Sequence, residues 1–565
     1  MLKGIGASGG IGIGRAVKLK SRPVSYTDTA AADPKAEKDR FDSAADRFAQ
    51  KNEERAKRMD AAGADGEILR GHIAMVSDPY MLSQIHELID GGMIAEKAVE
   101  TVCDMFISMF SSTDDELTRQ RAADVEDIKG QLLKILLGID ETRLKNLPVD
   151  TVLVVEELTP SMTAEMDAAN IAGIVTEKGG STSHSAILSR SLKIPAVLSV
   201  DGALEEIADG ADIIVDGSAG EVYTDFDENL LHSFLERREY LSKKEAMSEQ
   251  FRGKESLTAD GTKKQLFANI GTHKDLAAAI AGDAEGIGLF RTEFLFMDRD
   301  AQPTEAEQFE AYKAVAAGMK GREVIIRTLD VGGDKDVPYL KLKKEENPFL
   351  GFRAVRYCLK NREIYQTQLR AILRASAYGN VAVMIPLVTQ VDEVIEVRSI
   401  VHELKKELDE KEIPYKKDIR VGIMVETPAA CLIADLLAQH ADFFSIGTND
   451  LTGYIMAADR GNADVGYLYS VFDPAVLRGI RHIIACAKKQ GIPCGMCGEA
   501  AADPRLLPLL VSFGLDEFSV SPASVLSVRA ALSKLSQSAC DAITKEVFKK
   551  ESGQEILQCL TSLQT

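Results

Sequence analysis

Residues 255–565 repeat one beat. Short apolar runs fall at QLFANI (265–270), GIGLF (286–290), EVIIRTL (323–329), VAVMIPLV (381–388), RVGIMVE (420–426), FFSIG (443–447), IPCGMC (492–497) and EFSVS (517–521). Amphipathic or charged stretches separate them. Each run has the length of a strand, and each gap has room for a helix that carries the chain back across a parallel sheet. Eight such units in about 300 residues predict a (β/α)8 barrel. In that architecture the working residues stand just past the strand ends, on one rim.

The polar residues obey this rule. Arg291 follows the second run and Arg327 lies near the end of the third. Glu426 closes the fifth, Asn449 and Asp450 follow the sixth, Arg460 comes shortly after, and Cys497 follows the seventh. Alone, Arg291 or Arg460 reads as half of a surface ion pair, and Glu426 as an exposed carboxylate. Their common arrival at strand ends predicts one shared site. Three arginines suit a phosphate and a carboxylate, because the planar guanidinium donates in pairs to planar oxygens. Two carboxylates with open positions between them suit Mg²⁺, which keeps waters and bridges phosphate oxygens. No GxxxxGK[ST] loop occurs, so a small phosphorylated acid fits better than a nucleotide. A thiol of ordinary pKa, about 8.5, exchanges protons near neutrality, so Cys497 is the expected proton donor.

The first 254 residues read differently. Residues 1–20 are Gly-rich strand and turn; GIGASG (Gly4 to Gly9) matches G-x-G-x-x-G, but only three residues precede it, too few for the strand a dinucleotide site needs. From about Ala32 to Gly138 the chain is charged and helix-favouring, with Phe41, Ala45 and Phe48 on one predicted face and further helices near 65–90, 94–112 and 114–137. Strand-like runs return at 151–158, 172–178, 195–200 and 212–217, the pattern of an α/β domain into which the helices are inserted. Residues 225–251 read as a linker helix with a sparse stripe of Leu230, Phe234 and Leu241. The 565 residues carry a formal net charge of −20, which argues against nucleic acid and anionic membranes as partners, and no apolar stretch reaches the length of a membrane span. The opening MLKGIGASGG has no apolar signal core, so a cytoplasmic chain is expected. Eight cysteines in such a length make no disulfide framework. One pair, Cys494 and Cys497, has C-x-x-C spacing: coincidence, a zinc ligand pair and a reversible redox couple are its three readings.

GGSTSHSAILSRSLKIPAV (179–197) sets His184 among small hydroxyl residues at the start of a predicted helix. Together with RTEFLFMDRD (291–300), RTLDVGGDK (327–335), EENPFLGFRA (345–354), MVETPAA (424–430), FFSIGTNDLT (443–452) and GMCGE (495–499), this stretch resembles enzyme I of the bacterial phosphoenolpyruvate:sugar phosphotransferase system over nearly the whole chain. The resemblance implies a swivelling phosphohistidine α/β domain (1–30 and 145–225), an inserted helical subdomain that binds the carrier protein HPr (31–144), a linker helix (226–254), and a barrel that holds phosphoenolpyruvate and Mg²⁺ and makes a homodimer (255–565). It implies that His184 takes the phosphoryl group of phosphoenolpyruvate, pyruvate leaves, and HPr receives the phosphoryl group on a histidine. By matching positions, Arg291, Arg327, Arg460 and Asn449 hold the substrate, Lys335 neutralises charge, Glu426 and Asp450 bind Mg²⁺, and Cys497 protonates the methylene carbon. A neutral imidazole is a competent nucleophile, the hydroxyls of Ser181, Thr182, Ser183 and Ser185 suit phosphoryl oxygens, and a helix N-terminus favours their charge.

The chain departs from the family at Ser181, where Arg is common, at Gly453, where Gln is usual, and in YLYSVFDPAVL (467–477). Two other readings carry different expectations. An ATP-coupled dikinase or synthase needs a nucleotide domain before the histidine, where this chain has its helical insert. A non-catalytic docking module would be expected to lack Cys497, Glu426 or Asp450, and all three are present.

Overall fold

A computed structural model describes the chain apart from residues 20–24, 28–29, 62–65, 113–115, 140–143, 145–146, 181–182, 298, 300, 333–336, 460–461, 463 and 563–565. It divides into two units, Met1–Lys243 and Lys244–Thr565, and the division falls inside a helix spanning Glu228–Glu249.

In the first unit the strands are β1 (Leu2–Lys3), β2 (Ile5–Ser8), β3 (Ile11–Leu19), β4 (Thr151–Val155), β5 (Ile171–Thr176), β6 (Ala196–Leu198), β7 (Asp212–Asp216) and β8 (Glu221–Tyr223). They form one mixed sheet in the order β1-β8-β7-β3-β4-β5-β6-β2. β4 is buried along its whole length, as its continuous TVLVV run requires of a central strand covered on both faces. The GIGASG glycines fall on and beside β2, in the sheet, and open no helix. β8 was not anticipated: its EVY is too short to register as a period, and it is defined by antiparallel pairing with β7 and β1.

Between β3 and β4 the chain inserts helices Pro34–Ala61, Glu67–Val76, Pro79–Asp90, Ala95–Ser111 and Glu116–Leu136. The single helix expected over 65–90 is two. Asp78 caps the second, its Oδ1 accepting from the Tyr80 and Met81 amides at 2.9 and 3.2 Å, and Pro79 takes the first position, where its missing N–H does no harm. Phe41 and Phe48 are fully buried in the insert's own core, with Ile85, Ile89, Val99 and Ile128. The insert is tied to the α/β part by the buried ion pair of Arg55 and Glu165 and by Ser161, whose hydroxyl donates to Asp127 at 2.7 Å.

The second unit contains β9 (Gln265–Ile270), β10 (Gly286–Phe290), β11 (Glu323–Arg327), β12 (Asn380–Ile385), β13 (Arg420–Val425), β14 (Phe444–Ile446), β15 (Cys494–Met496) and β16 (Glu517–Val520). All neighbours are parallel, and β16 closes on β9 with Phe518 opposite Leu266. The predicted barrel is present. Alternate residues divide two cores. Val324, Ile326, Val421, Ile423, Phe444 and Met496 face the surrounding helices, while Leu289, Ile325, Ala382, Met384, Met424, Phe443 and Cys497 pack inside the barrel. Inward positions at the strand C-termini therefore open onto one rim.

Candidate active site

Arg327 ends β11 pointing inward, 8% exposed. Its guanidinium pairs with Glu293 at 2.8 Å and with Asp330 at 3.0 Å. Buried, its Nε has no partner among the described residues. Burial alone would lower the guanidinium's pKa; Glu293 and Asp330 outweigh it, so the cation is held firmly charged. Arg353, 7% exposed, donates from Nε and Nη2 to the other oxygen of Asp330 at 3.1 and 2.7 Å and lies 3.6 Å from Asp450. Asp330 thus braces two arginines at once. Thr292, whose hydroxyl donates to the Arg327 carbonyl at 2.9 Å, and Gln368, which donates to Thr292 and accepts from the Leu329 amide, fix the strand end that presents Arg327.

Glu426 follows β13 and is 2% exposed. One oxygen accepts from the Leu387 amide at 2.6 Å; the other lies where a side chain on Gly447 would stand, 2.6 Å from the position of a Cβ. Gly447 is glycine because Glu426 needs that space. Burial, then the carboxylates of Asp450 and Asp330, push Glu426's pKa upward against the pull of Arg327. A divalent cation would relieve this crowding. Among the described residues no three His, Cys, Asp or Glu side chains stand at metal-holding distance. Two hard carboxylates nevertheless fit Mg²⁺, which is held by one or two carboxylates and otherwise by water and substrate phosphate.

Cys497 lies just past β15, 4% exposed, with its amide donating to the Ile446 carbonyl at 3.1 Å and its thiol directed to the same carbonyl at 3.8 Å. The expectation of an ordinary thiol is corrected here: burial takes the pKa up to about 12, so the sulfur keeps its proton at neutral pH. A donor of that kind suits a strongly basic carbon. Cys494 is fully buried as well, but on the outer face of β15 with Met496, whereas Cys497 faces the barrel interior. Residues three apart on a strand point oppositely, so the two sulfurs are not placed to pair, and all eight cysteines are free.

Arg291 stands at the C-terminal end of β10, exposed, its amide donating to the Ile270 carbonyl at 3.0 Å. Asn449 and Asp450 occupy the first turn of the helix Thr448–Met456, half-buried at the same rim. Lys335 and Arg460 lie outside the described residues. The rim thus brings together Arg327, Glu426, Asp450 and Cys497. It adds Glu293, Asp330 and Arg353, which were not picked out as site residues although RTEF, RTLD and GFRA carry them.

In the first unit, His184 opens the helix His184–Ser191, and Ser183 caps it, accepting from the Ala186 amide at 3.3 Å. The His184 side chain, Ser181 and Thr182 lie outside what is described. Ser185 differs from expectation. Fully buried, its hydroxyl donates to the Leu158 carbonyl at 3.0 Å and accepts from the Leu158 amide at 3.2 Å, so it braces the helix against a neighbouring loop and is not free for phosphoryl oxygens.

Comparison with known proteins identifies the family. Residues 3–121, 147–220 and 245–537 match the families described as PEP-utilising enzyme, N-terminal; PEP-utilising enzyme, mobile domain; and PEP-utilising enzyme, PEP-binding domain. The chain is 42% identical over 562 residues to the phosphoenolpyruvate-protein phosphotransferase of Listeria innocua, covering 99% of this chain and 98% of the relative. It is 42% identical over 562 residues to that of Bacillus subtilis, covering 98% of each. The chain therefore belongs to the phosphoenolpyruvate-protein phosphotransferases, enzyme I of the phosphoenolpyruvate:sugar phosphotransferase system, and is an enzyme of phosphoryl transfer from phosphoenolpyruvate.

Proposed function

We propose that the chain moves the phosphoryl group of phosphoenolpyruvate to its own His184, releases pyruvate, and hands the phosphoryl group to a histidine of HPr. The observation that carries this reading is the convergence on one barrel rim of two buried arginines, a crowded acidic pair and a protonated thiol. Arg327, Arg353, Arg291 and Arg460, with Asn449, bind the substrate's phosphate and carboxylate, and Arg327's open Nε is a ready donor. Lys335 neutralises charge beside the phosphoryl group. Glu426 and Asp450 would hold Mg²⁺, which when bound neutralises charge on the phosphate and the developing enolate oxygen.

A lone pair on the His184 imidazole forms the N–P bond as the P–O bond to the enol breaks, with in-line positioning and charge neutralisation as the main demands. The electron pair left on the enolate draws the Cys497 proton to its methylene carbon, giving pyruvate and a thiolate. The helix that begins at His184 favours the phosphoryl charge through its N-terminus.

In this reading residues 1–30 with 145–225 carry the phosphohistidine and residues 226–254 are the linker about which it swings. Residues 31–144 dock HPr; the exposed Tyr80, Met105 and Met109 of the insert are apolar groups suited to a protein partner. Residues 255–565 form the substrate barrel and pair two copies, and Leu432, Leu436 and Tyr467, all exposed on the barrel unit, suit that role. The reaction belongs in the cytoplasm, where both substrate and carrier would be supplied.

The test is incubation with phosphorus-labelled phosphoenolpyruvate and Mg²⁺, mapping of the label, and addition of HPr. The expected result is label on His184 that passes to HPr, and no label on His184→Ala, which still binds phosphoenolpyruvate. Label on any other residue, or on His184→Ala, overturns the reading.

A further inference from the structure

Ser445 occupies the middle of β14, between two residues that face the surrounding helices, so its side chain points into the barrel. It is fully buried, and its hydroxyl has no hydrogen-bond partner among the described residues. A buried hydroxyl left unpaired inside a packed barrel is costly and calls for a cause. The cause is next door. Cys497 is bound to the residue after Ser445 by both its amide and its thiol. β14 and β15 run side by side with Ser445 opposite Gly495, and Ser445 and Cys497 both face the barrel interior. The hydroxyl therefore stands on the same inner face as the sulfur, where it favours the charged form against the effect of burial.

The two protonation states of Cys497 want different neighbours. As a thiol, the sulfur donates toward the Ile446 carbonyl at 3.8 Å and makes no demand on Ser445. As a thiolate it has no proton to give, and the same carbonyl oxygen faces it with like partial charge. An unused O–H donor beside it is then the group that can satisfy it, and a hydrogen bond to a charged acceptor is the stronger kind. The donor is idle before proton transfer and engaged after it, which is the condition for lowering a barrier instead of strengthening the ground state.

We propose that Ser445 is a positioning residue for the protonation step: its hydroxyl turns to the Cys497 sulfur as the thiol proton passes to the enolate carbon, and holds the thiolate until it is reprotonated. This inference rests on the reading of Cys497 as the acid.

The experiment compares wild type, Ser445→Ala, Ser445→Thr and Cys497→Ala with phosphoenolpyruvate and Mg²⁺. Three quantities are read: phosphoryl uptake, pyruvate formation with its solvent isotope effect, and enzyme-dependent exchange of pyruvate methyl hydrogens with D₂O. The expected result is that Ser445→Ala slows pyruvate formation and methyl exchange by roughly ten- to a hundredfold, the size expected for a lost hydrogen bond to a charged group. The solvent isotope effect rises, the KM for phosphoenolpyruvate stays put, and Ser445→Thr, which keeps the hydroxyl, recovers most of the rate. A Ser445→Ala protein with wild-type exchange and isotope effect overturns the proposal, and so does equal loss of phosphoryl uptake and exchange, which marks a structural role. If Ser445→Ala does not fold, Ser445→Cys fills the same space with a weaker donor and is read the same way. Failure of the underlying reading looks different: Cys497→Ala would then retain methyl exchange.

Discussion

The two ends of the barrel each bury a glutamate whose pKa is driven up, and they use it differently. At the C-terminal rim Glu426 is crowded by Asp450 and Asp330 while Arg327 and Arg353 stand close by. At the foot, Glu517 begins β16 pointing inward, its pKa raised to about 8 by burial and then by Glu323, with Arg420 partly offsetting. Glu323 and Arg420 pair with each other across the strand starts. One Glu517 oxygen has no partner among the described residues, and the carboxyl fits only because Gly495 has no side chain: a Cβ there would lie 2.5 Å from its other oxygen. The rim collects charge of both signs in surplus, with a cation's open Nε and acids that repel one another. The foot holds a closed ion pair and a single acid whose burial favours its protonated form. Buried charge alone does not mark a site. What separates the two is unspent valence that an anionic, metal-bridged ligand would satisfy at the rim, and that one proton satisfies at the foot.

The sharpest way to break this contrast is Arg327→Met. Loss of one positioned cation that meets developing charge costs on the order of 10²–10³ in rate, and leaving Glu293 and Asp330 without it costs about 3–5 kcal/mol of stability. Pyruvate formation and denaturant unfolding of the variant measure both. A variant that kept its activity would move the site away from the rim.

The barrel was legible because short apolar runs of strand length and a regular strand-helix alternation survive in the letters; β9 and β10 match their predicted runs residue for residue. Strand-end logic placed Arg327, Glu426, Asp450 and Cys497 at the rim for the same reason. It missed Arg353 because that arginine comes far along the loop after β11, where no strand marks its position; only the partnership with Asp330 brings it to the rim. Ser185 was misjudged because its partner, Leu158, belongs to another loop, and no spacing in the chain announces such a contact. The opposite facing of Cys494 and Cys497 follows from strand periodicity, and the C-x-x-C spacing obscured it.

Glu517→Gln sharpens the comparison from the other end. It should leave phosphoryl transfer near wild type while changing how barrel stability depends on pH. A carboxyl at about 8 when folded, against an ordinary value of 4.5, binds more proton folded than unfolded between those limits. Stability must then fall as pH rises through that window, with a slope of up to about 1.4 kcal/mol per pH unit for one proton. Glutamine removes this dependence, so the stability of Glu517→Gln relative to wild type should climb from about pH 5 to pH 8 and level off above it. Parallel pH profiles for the two proteins, measured by denaturant unfolding, would mean that the foot carries its charge as readily as the rim, and the contrast would fail.

The smallest effect is expected at Cys494. The C-x-x-C spacing invites a disulfide that would consume the thiol proposed as proton donor under mild oxidation. The strand denies it: Cys494 sits fully buried in the core between barrel and helices, and Cys497 faces the interior. Joining them would require β15 to turn over, which would break its pairing with β14 at Phe444 and Ser445 and with β16 at Glu517. Burial also holds both sulfurs protonated, Cys494 well above the ordinary thiol range, and a thiol reacts with disulfide oxidants only through its thiolate. Wild type and Cys494→Ser should therefore lose pyruvate-forming activity to a mild disulfide oxidant at the same slow rate, with dithiothreitol restoring both equally. Selective protection of the wild type's sensitivity by Cys494→Ser would show that β15 opens in solution, and the barrel interior would then be less rigid at the rim than at the foot.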